Sequence, residues 1–183
     1  MEACHRSVFT PAIAGLLAIL FSGSAAAIDL RSWDLNIRNG VFRFVVQRDF
    51  GDLAVLDIET QLVWTRDAGF IGQREWSTNA AGQTGAREVC ANLLVANKAG
   101  WRLPSLHELS SLADVTHEDP TLPLGHPFQN VFGSYWTATT SAKDETKAWA
   151  VAFRAFYGAN EISKDIPVSV WCVRGGVPGP DKY

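Results

Sequence analysis

Two cysteines downstream of what reads as an export leader constrain this chain more than any other feature, because an oxidising compartment turns an even pair into a covalent cross-link. His5 and Arg6 supply a short basic start, Val8 to Phe21 an apolar run, and Ser22 to Ala27 a small-residue stretch. Ala25 and Ala27 fit the A-x-A cleavage pattern, so the expected mature chain begins at Ile28, after a signal peptide of residues 1–27. The run is interrupted by Pro11 and is short for a hydrocarbon core of about 30 Å, so a retained membrane anchor is not expected. No cysteine follows the run at the spacing that lipidation requires, since Cys4 lies on its wrong side. Cys90 and Cys172 remain, and the simplest expectation is one structural disulfide; a reactive thiol or a metal-binding pair would need further ligands.

Composition narrows the partners. With 16 Lys+Arg against 19 Asp+Glu and a formal charge of −3, nothing draws the chain to nucleic acid or to an anionic membrane. Hydrophobic residues at 47%, with seven Trp and ten Phe, are enough for one well-buried core and far from the composition of disorder.

Residues 28–40 read as a polar N-terminal arm, and residues 177–183 as a tail. Phe42, Phe44 and Val46 alternate before the turn Asp49-Phe50-Gly51-Asp52, and Leu53 to Ile58 follows, the pattern of a β-hairpin. Leu62-Val63-Trp64 adds a strand, and residues 66–83 read as loop. A helix is expected from Thr84 to about Asn97, with Val89, Leu93 and Ala96 as its buried stripe, widened by Cys90 and Leu94. A second helix should begin at Ser105, which with Glu108 forms an S-x-x-E capping box, and should end near Val115. Residues 116–134 read as a long ordered loop. Strands follow at Tyr135 to Thr140, Ala148 to Phe153 and Val168 to Arg174, the last with Val168, Val170 and Cys172 on one face. Strands at both ends and two helices between them give an α+β fold.

The string Asp57-Ile58-Glu59-Thr60-Gln61-Leu62-Val63-Trp64, then Cys90, Gly100-Trp101-Arg102-Leu103-Pro104 with Glu108-Leu109, Tyr135-Trp136-Thr137-Ala138-Thr139-Thr140, and Trp171-Cys172-Val173-Arg174 resemble, in that order, the Lcl C-terminal domain family over roughly residues 41–176. That family takes its name from a Legionella collagen-like protein and is regarded as C-type-lectin-like. The resemblance implies a small, mostly antiparallel sheet with two helices, a disulfide from helix to last strand, and an adhesin-like role toward glycans or proteins. Gln61 stands where the family usually has Gly, which bears on the geometry of one turn. The calcium motifs of sugar-binding C-type lectins are absent, and residues 141–147 are too few to wrap an ion that takes 6–8 oxygens, so binding should be calcium-independent.

Other chemistry finds little support in the sequence. Asp114, His117, Glu118, Asp119 and His126 lie close together but lack a metal-ligand spacing, and no metal or other cofactor is expected. Ser105, His107 and Asp114 could be assembled into a triad on paper, but Ser105 is better used as a helix cap, and no G-x-S-x-G elbow exposes it. Formylglycine-generating enzymes share a C-type-lectin-like core but need a reactive cysteine pair, whereas here the two cysteines are more simply paired with each other. Trp64, Trp101, Trp136, Trp149 and Trp171, with Leu103, Pro104 and Arg174, are expected to be structural, and Arg102 should bond loop carbonyls more than the face of Trp101. Trp33 and Trp76 fall in loop-like stretches, where an aromatic can anchor a ligand but more often packs partly buried against the domain. The candidate ligand surface is Arg74 and Trp76 from the first loop, Lys143, Asp144 and Lys147 from the second, and Tyr157. The expected protein is a non-catalytic binding module, periplasmic or extracellular, that engages a glycan or protein at the cell surface. A structural component of an envelope assembly is the main alternative.

Overall fold

The computed structural model describes residues 40–154 and 158–175. The expected signal peptide, the arm through Asn39, Trp33, Tyr157 and the tail lie outside these residues. The fold is α+β, and the strands among the described residues divide between two five-stranded sheets rather than forming the single small sheet expected.

The first sheet starts from a helical turn, α1 (Gly40–Arg43), that runs into β1 (Phe44–Val46). Gly40 can occupy this entry because a Cβ there would lie 2.8 Å from the Pro123 carbonyl oxygen. The helical turn breaks the alternation expected of Phe42, Phe44 and Val46: Phe44 is buried, while Phe42 is 73% exposed. β1 pairs antiparallel with β2 (Ala54–Asp57) through a 3-10 turn at Arg48–Phe50 that Gly51 closes at φ 60°, and β2 pairs with β3 (Leu62–Thr65). In the β2–β3 turn, Asp57 accepts hydrogen bonds from the Glu59 N–H and the Thr60 hydroxyl while holding the buried Arg43 at 2.6 and 2.8 Å. Gln61 ends that turn at φ 59°, the left-handed region where glycine has no steric penalty.

β4 (Gln73–Arg74) emerges from the stretch read as loop. α2 (Ala86–Ala91) is much shorter than expected, because Ala96 and Asn97 take positive φ and fold the chain back between Val95 and Lys98. β5 (Trp101–Arg102) then leads to α3 (Leu106–Ser110), whose capping box forms as expected: the Ser105 hydroxyl accepts from the Glu108 N–H, and the Glu108 carboxylate accepts from the Ser105 N–H. β6 (Ser134–Thr140) and β7 (Lys147–Ala152) agree with the sequence pattern, whereas β8 (Gly158–Ser163) was not anticipated.

The expected last strand divides. β9 (Val168–Ser169) belongs to the second sheet, ordered β4-β9-β6-β7-β8, and β10 (Val173–Gly175) to the first, ordered β1-β2-β3-β10-β5. Alternation along this segment sends Val168, Val170 and Cys172 into one apolar cluster and Trp171 and Val173 into another, so a single stretch of chain serves both halves of the core. Cys172 bonds to Cys90 of α2, with Cα atoms 5.6 Å apart, and so ties that helix to the chain just before β10.

Candidate functional site

The segment after β3 reaches its place through backbone and indole hydrogen bonds. β4 pairs with β9, and the Val170 N–H donates to Gly72 O, so Gly72 and Arg74 turn their backbone groups toward β9 while Gln73, between them, turns its own away. Arg74 O accepts from the Trp136 indole at 2.9 Å. Two residues on, Trp76 donates its backbone N–H to Lys164 O and its indole N–H to Thr137 O at 2.8 Å. Glu75 O and Trp76 O accept from the N–H groups of Ala86 and Arg87, which lays this segment against the start of α2. Gly85 permits the approach, since a Cβ there would fall 2.1 Å from the carbonyl carbon of Ser77.

Between these elements lies an open groove of about 930 Å³. One wall is Gln73, Arg74 and Glu75; the other is Val89, Asn92, Leu93 and Leu94. Residues 89, 92 and 93 fall on one face at helical spacing, with Cys90 and Ala86 turned to the core. The stripe expected to be core is therefore largely groove wall: Cys90 is fully buried, Val89 and Leu93 are half-buried, and Leu94 is 62% exposed. The rim is organised by Asn79, whose side-chain oxygen accepts from the N–H groups of Ala81 and Gln83 and whose amide donates to Glu75 and Gln83. Among the described residues, no aromatic side chain lines the groove.

The described candidate ligand residues differ in exposure and partners. Arg74 is exposed on the groove, its guanidinium donating to Gln73 O at 3.0 Å, and among the described residues it forms no ion pair. Trp76, for which an exposed ligand anchor and burial against the domain were the two readings, is only 6% exposed; Arg87 and Lys164 lie over its ring at 4.7 and 4.2 Å. The indole reaches a buried carbonyl, which is why a loop tryptophan went inward. Lys143, Asp144 and Lys147 form a compact β6–β7 turn in which the Asp144 carboxylate accepts from Thr146 and lies 3.6 Å from Lys147. The bonds from Thr146 hold that carboxyl below its ordinary value. Lys164 joins this turn to Trp76 by donating to Glu145 O at 2.7 Å, and burial, with Arg87 nearby, pushes its ammonium pKa down. The sequence did not single out Lys164, Arg87 or the groove; the run of side-chain amides and polar turn residues from Asn79 to Thr84 was the available signal.

The other candidates go to structural duties. Trp64, Trp101, Leu103, Pro104, Trp136 and Trp171 are buried. Arg102 bonds Leu103 O, Gly175 O and both oxygens of Glu108, so it uses carbonyls and a carboxylate and not the face of Trp101. Burial pushes the Glu108 carboxyl up, but the bonds from Arg102 and the Ser105 N–H outweigh it and hold the group below its ordinary 4.5. Arg174 lies over the Phe50 ring at 5.5 Å. Of the five clustered loop residues, Asp114 is engaged by Thr116 and His117, Asp119 lies 3.3 Å from Arg154, and His126 stacks on Phe128. Among the described residues, no three His, Cys, Asp or Glu converge as metal ligands would. Nor is any helix among them long and apolar enough to cross a membrane.

Compared with known families, the model of the Lcl C-terminal domain matches residues 53–174, a span that holds both cysteines, α2, the groove and every motif string quoted above. No curated protein matches the chain.

Proposed function

The chain belongs to the Lcl C-terminal domain family, and from this and the groove we propose that it is an exported, non-catalytic binding module that recognises a glycan or protein at the cell surface without calcium. The C-type-lectin-like character implied by the resemblance is part of the proposal, and the disulfide from α2 to the approach of β10 supports it. The observation that carries the reading is the groove itself. Its walls are a strand edge and a disulfide-anchored helix, and a rigid wall costs a ligand little ordering entropy.

Two further facts favour binding over chemistry. Both cysteines are consumed by their mutual bond, which removes the reactive thiol that a formylglycine-generating mechanism needs. Ser105 spends its hydroxyl as the cap of α3, and Asp114 is held by Thr116, so the paper triad has no assembled nucleophile. Calcium independence is supported by the β6–β7 turn, where Lys147 and Thr146 already occupy the Asp144 carboxylate.

The test compares the oxidised chain, residues 28–183, with its Leu94→Glu variant on a glycan array and a linear-peptide library. Leu94 is 62% exposed, so the change places a charge in the groove without disturbing the core. The reading requires a ligand whose affinity falls by about tenfold or more in the variant. Ligands held equally well by both proteins would overturn it.

A further inference from the structure

We propose that β8 is a dimerisation edge: a second copy of this chain pairs with it antiparallel about a two-fold axis at Asn160, joining the two β4-β9-β6-β7-β8 sheets into one of ten strands. The edge strands of the two sheets are unequal. β4 and β5 have two residues each and β1 has three, whereas β8 has six, all paired with β7 in an unbroken register. The Lys164 N–H donates to Thr146 O, and Lys147 O accepts from the Ser141 N–H. By alternation, Gly158, Asn160 and Ile162 turn their backbone groups to β7, while Ala159, Glu161 and Ser163 turn theirs outward. The Ser163 carbonyl is taken by the Ile166 N–H, but the N–H and C=O groups of Ala159 and Glu161 have no partner among the described residues.

Natural sheet edges are commonly blunted by proline, lysine or a bulge. β8 carries none of these, and its acidic side chain does not screen the edge: the Glu161 carboxylate folds back to accept from the Ser141 hydroxyl at 2.7 Å. An edge in this condition pairs with another strand, and its own sequence supplies the match. Outward residues must oppose outward residues, so a two-fold axis can fall at residue 160, 161 or 162. An axis at Glu161 sets two carboxylate-bearing residues directly opposite, which is unfavourable. One at Ile162 pairs Glu161 with Ser163, whose carbonyl is already used, and leaves Ala159 without a partner. With the axis at Asn160, Ala159 exchanges both its backbone bonds with Glu161 of the second copy, and Glu161 with Ala159, so every unpaired group named above is consumed. The side chains agree with this register. Gly158 opposes Ile162 and Ala159 opposes Glu161, small against large, while the exposed Asn160 opposes itself, and each amide holds both a donor and an acceptor.

The sheet order gives the pairing a consequence. β4, which walls the groove, lies at the far edge from β8, so the dimer leaves both grooves open at the two ends of one joined sheet. A repeated ligand that spans them would be held by avidity.

The test is sedimentation equilibrium on the oxidised chain, residues 28–183, and its variants. The chain should be dimeric at about 100 μM and dissociate on dilution. Glu161→Pro removes an outward N–H and no bond to β7, and should weaken the dimer by about tenfold or more. Asn160→Lys alters an exposed residue, so folding is spared, but it sets two ammonium groups across the axis and should weaken the dimer similarly. Asn160→Glu alone should do the same, and mixing the Lys and Glu variants should restore a dimer of one of each. A chain that stays monomeric at 100 μM, or a dimer indifferent to Glu161→Pro, overturns the proposal. A dimer broken by Glu161→Pro but untouched by Asn160→Lys overturns the two-fold at Asn160. A monomer that instead captures an extended peptide, and loses it in Glu161→Pro, overturns the second copy as the occupant of this edge. Leu94→Glu, in the groove, should leave the dimer unchanged.

Discussion

The two halves of the core are held by different means. Around Trp171, large rings meet edge to face, Trp64 at 5.6 Å, Phe128 at 5.0 Å and Phe153 at 5.9 Å, with Tyr135 tilted against it at 5.3 Å. Around Cys172, the neighbours include Ala54, Ala86, Ala148 and Ala150, and much of the buried mass is indole that reaches out to carbonyls: Trp76 to Thr137, Trp101 to Lys98, Trp136 to Arg74. Small side chains bury little apolar area, so this half gains less from packing per residue, and it is the half that carries the cross-link. The groove lies against it. The aromatic half thus holds the fold, while the stapled half holds a surface in shape.

Replacing Trp171 with Ala should therefore be the most damaging single change. It removes a fully buried ring with four aromatic neighbours and leaves Thr65 O without its indole donor at 2.8 Å. A loss of about 5 kcal/mol is expected, enough to unfold a domain of ordinary stability, as urea denaturation would show. A loss below about 2 kcal/mol would mean that the ring cluster is not what holds this half together.

The cross-link comes next. Cys90 and Cys172 are separated by 82 residues, and closing a loop of that length restricts the unfolded chain by about 4–5 kcal/mol in the chain-entropy description. Replacing both cysteines with Ala should lower stability by about 4 kcal/mol, and its local effect distinguishes the two halves. Hydrogen exchange should show the amides of α2 losing protection first, while β2 and β3, which pack on the aromatic cluster, keep theirs. Equal loss of protection in both halves would erase the distinction drawn above.

These two features were not equally legible in the sequence. The disulfide followed from an even cysteine count behind a segment that reads as an export leader, and the capping box from Ser105 and Glu108 alone, because both are local or combinatorial signals. The division of Val168–Gly175 between two sheets was hidden: Val170 to Val173 are all buried, and a run buried on both sides loses the contrast between faces that alternation needs. β8 was missed for the opposite reason, since Gly158-Ala159-Asn160 has neither β-propensity nor an apolar face and is held by pairing with β7. The groove had no signature because it is a property of two distant segments brought together. The partner that draws the Trp76 indole inward, Thr137 O, lies 61 residues away and so left no local signal.

Glu108 bridges the seam between the halves. It grips Arg102 of β5 by two bonds of 2.7 and 2.6 Å, while the neighbouring Leu109 sits in the aromatic cluster and Leu103 in the stapled one. Its carboxyl pKa is depressed in the folded protein, so the charged form contributes stability above about pH 4.5, and that contribution disappears as pH falls through the lower folded value. Glu108→Gln should cost about 2 kcal/mol at neutral pH and flatten the acid limb of the stability profile below pH 4.5. An unchanged acid limb in the variant would show that the clasp is not what titrates there.

The smallest expected effect tests the aromatic half from its edge. Gln61 closes the β2–β3 turn at φ 59°, where a side chain crowds the following carbonyl, and its own amide partly offsets this by donating to Ile58 O at 2.7 Å. Glycine, the residue usual to the family here, would relieve the crowding but would lose that hydrogen bond and gain freedom in the unfolded chain. The terms nearly balance, with relief of the left-handed strain the largest, so Gln61→Gly should raise stability by about 0.5 kcal/mol and slow unfolding, with no effect on protection in α2. A gain confined to β2 and β3 in hydrogen exchange would place the turn within the aromatic half's cooperative unit. A gain that also protected α2 would show that the two halves unfold as one, and the division between fold-holding and surface-holding regions would then be one of composition alone.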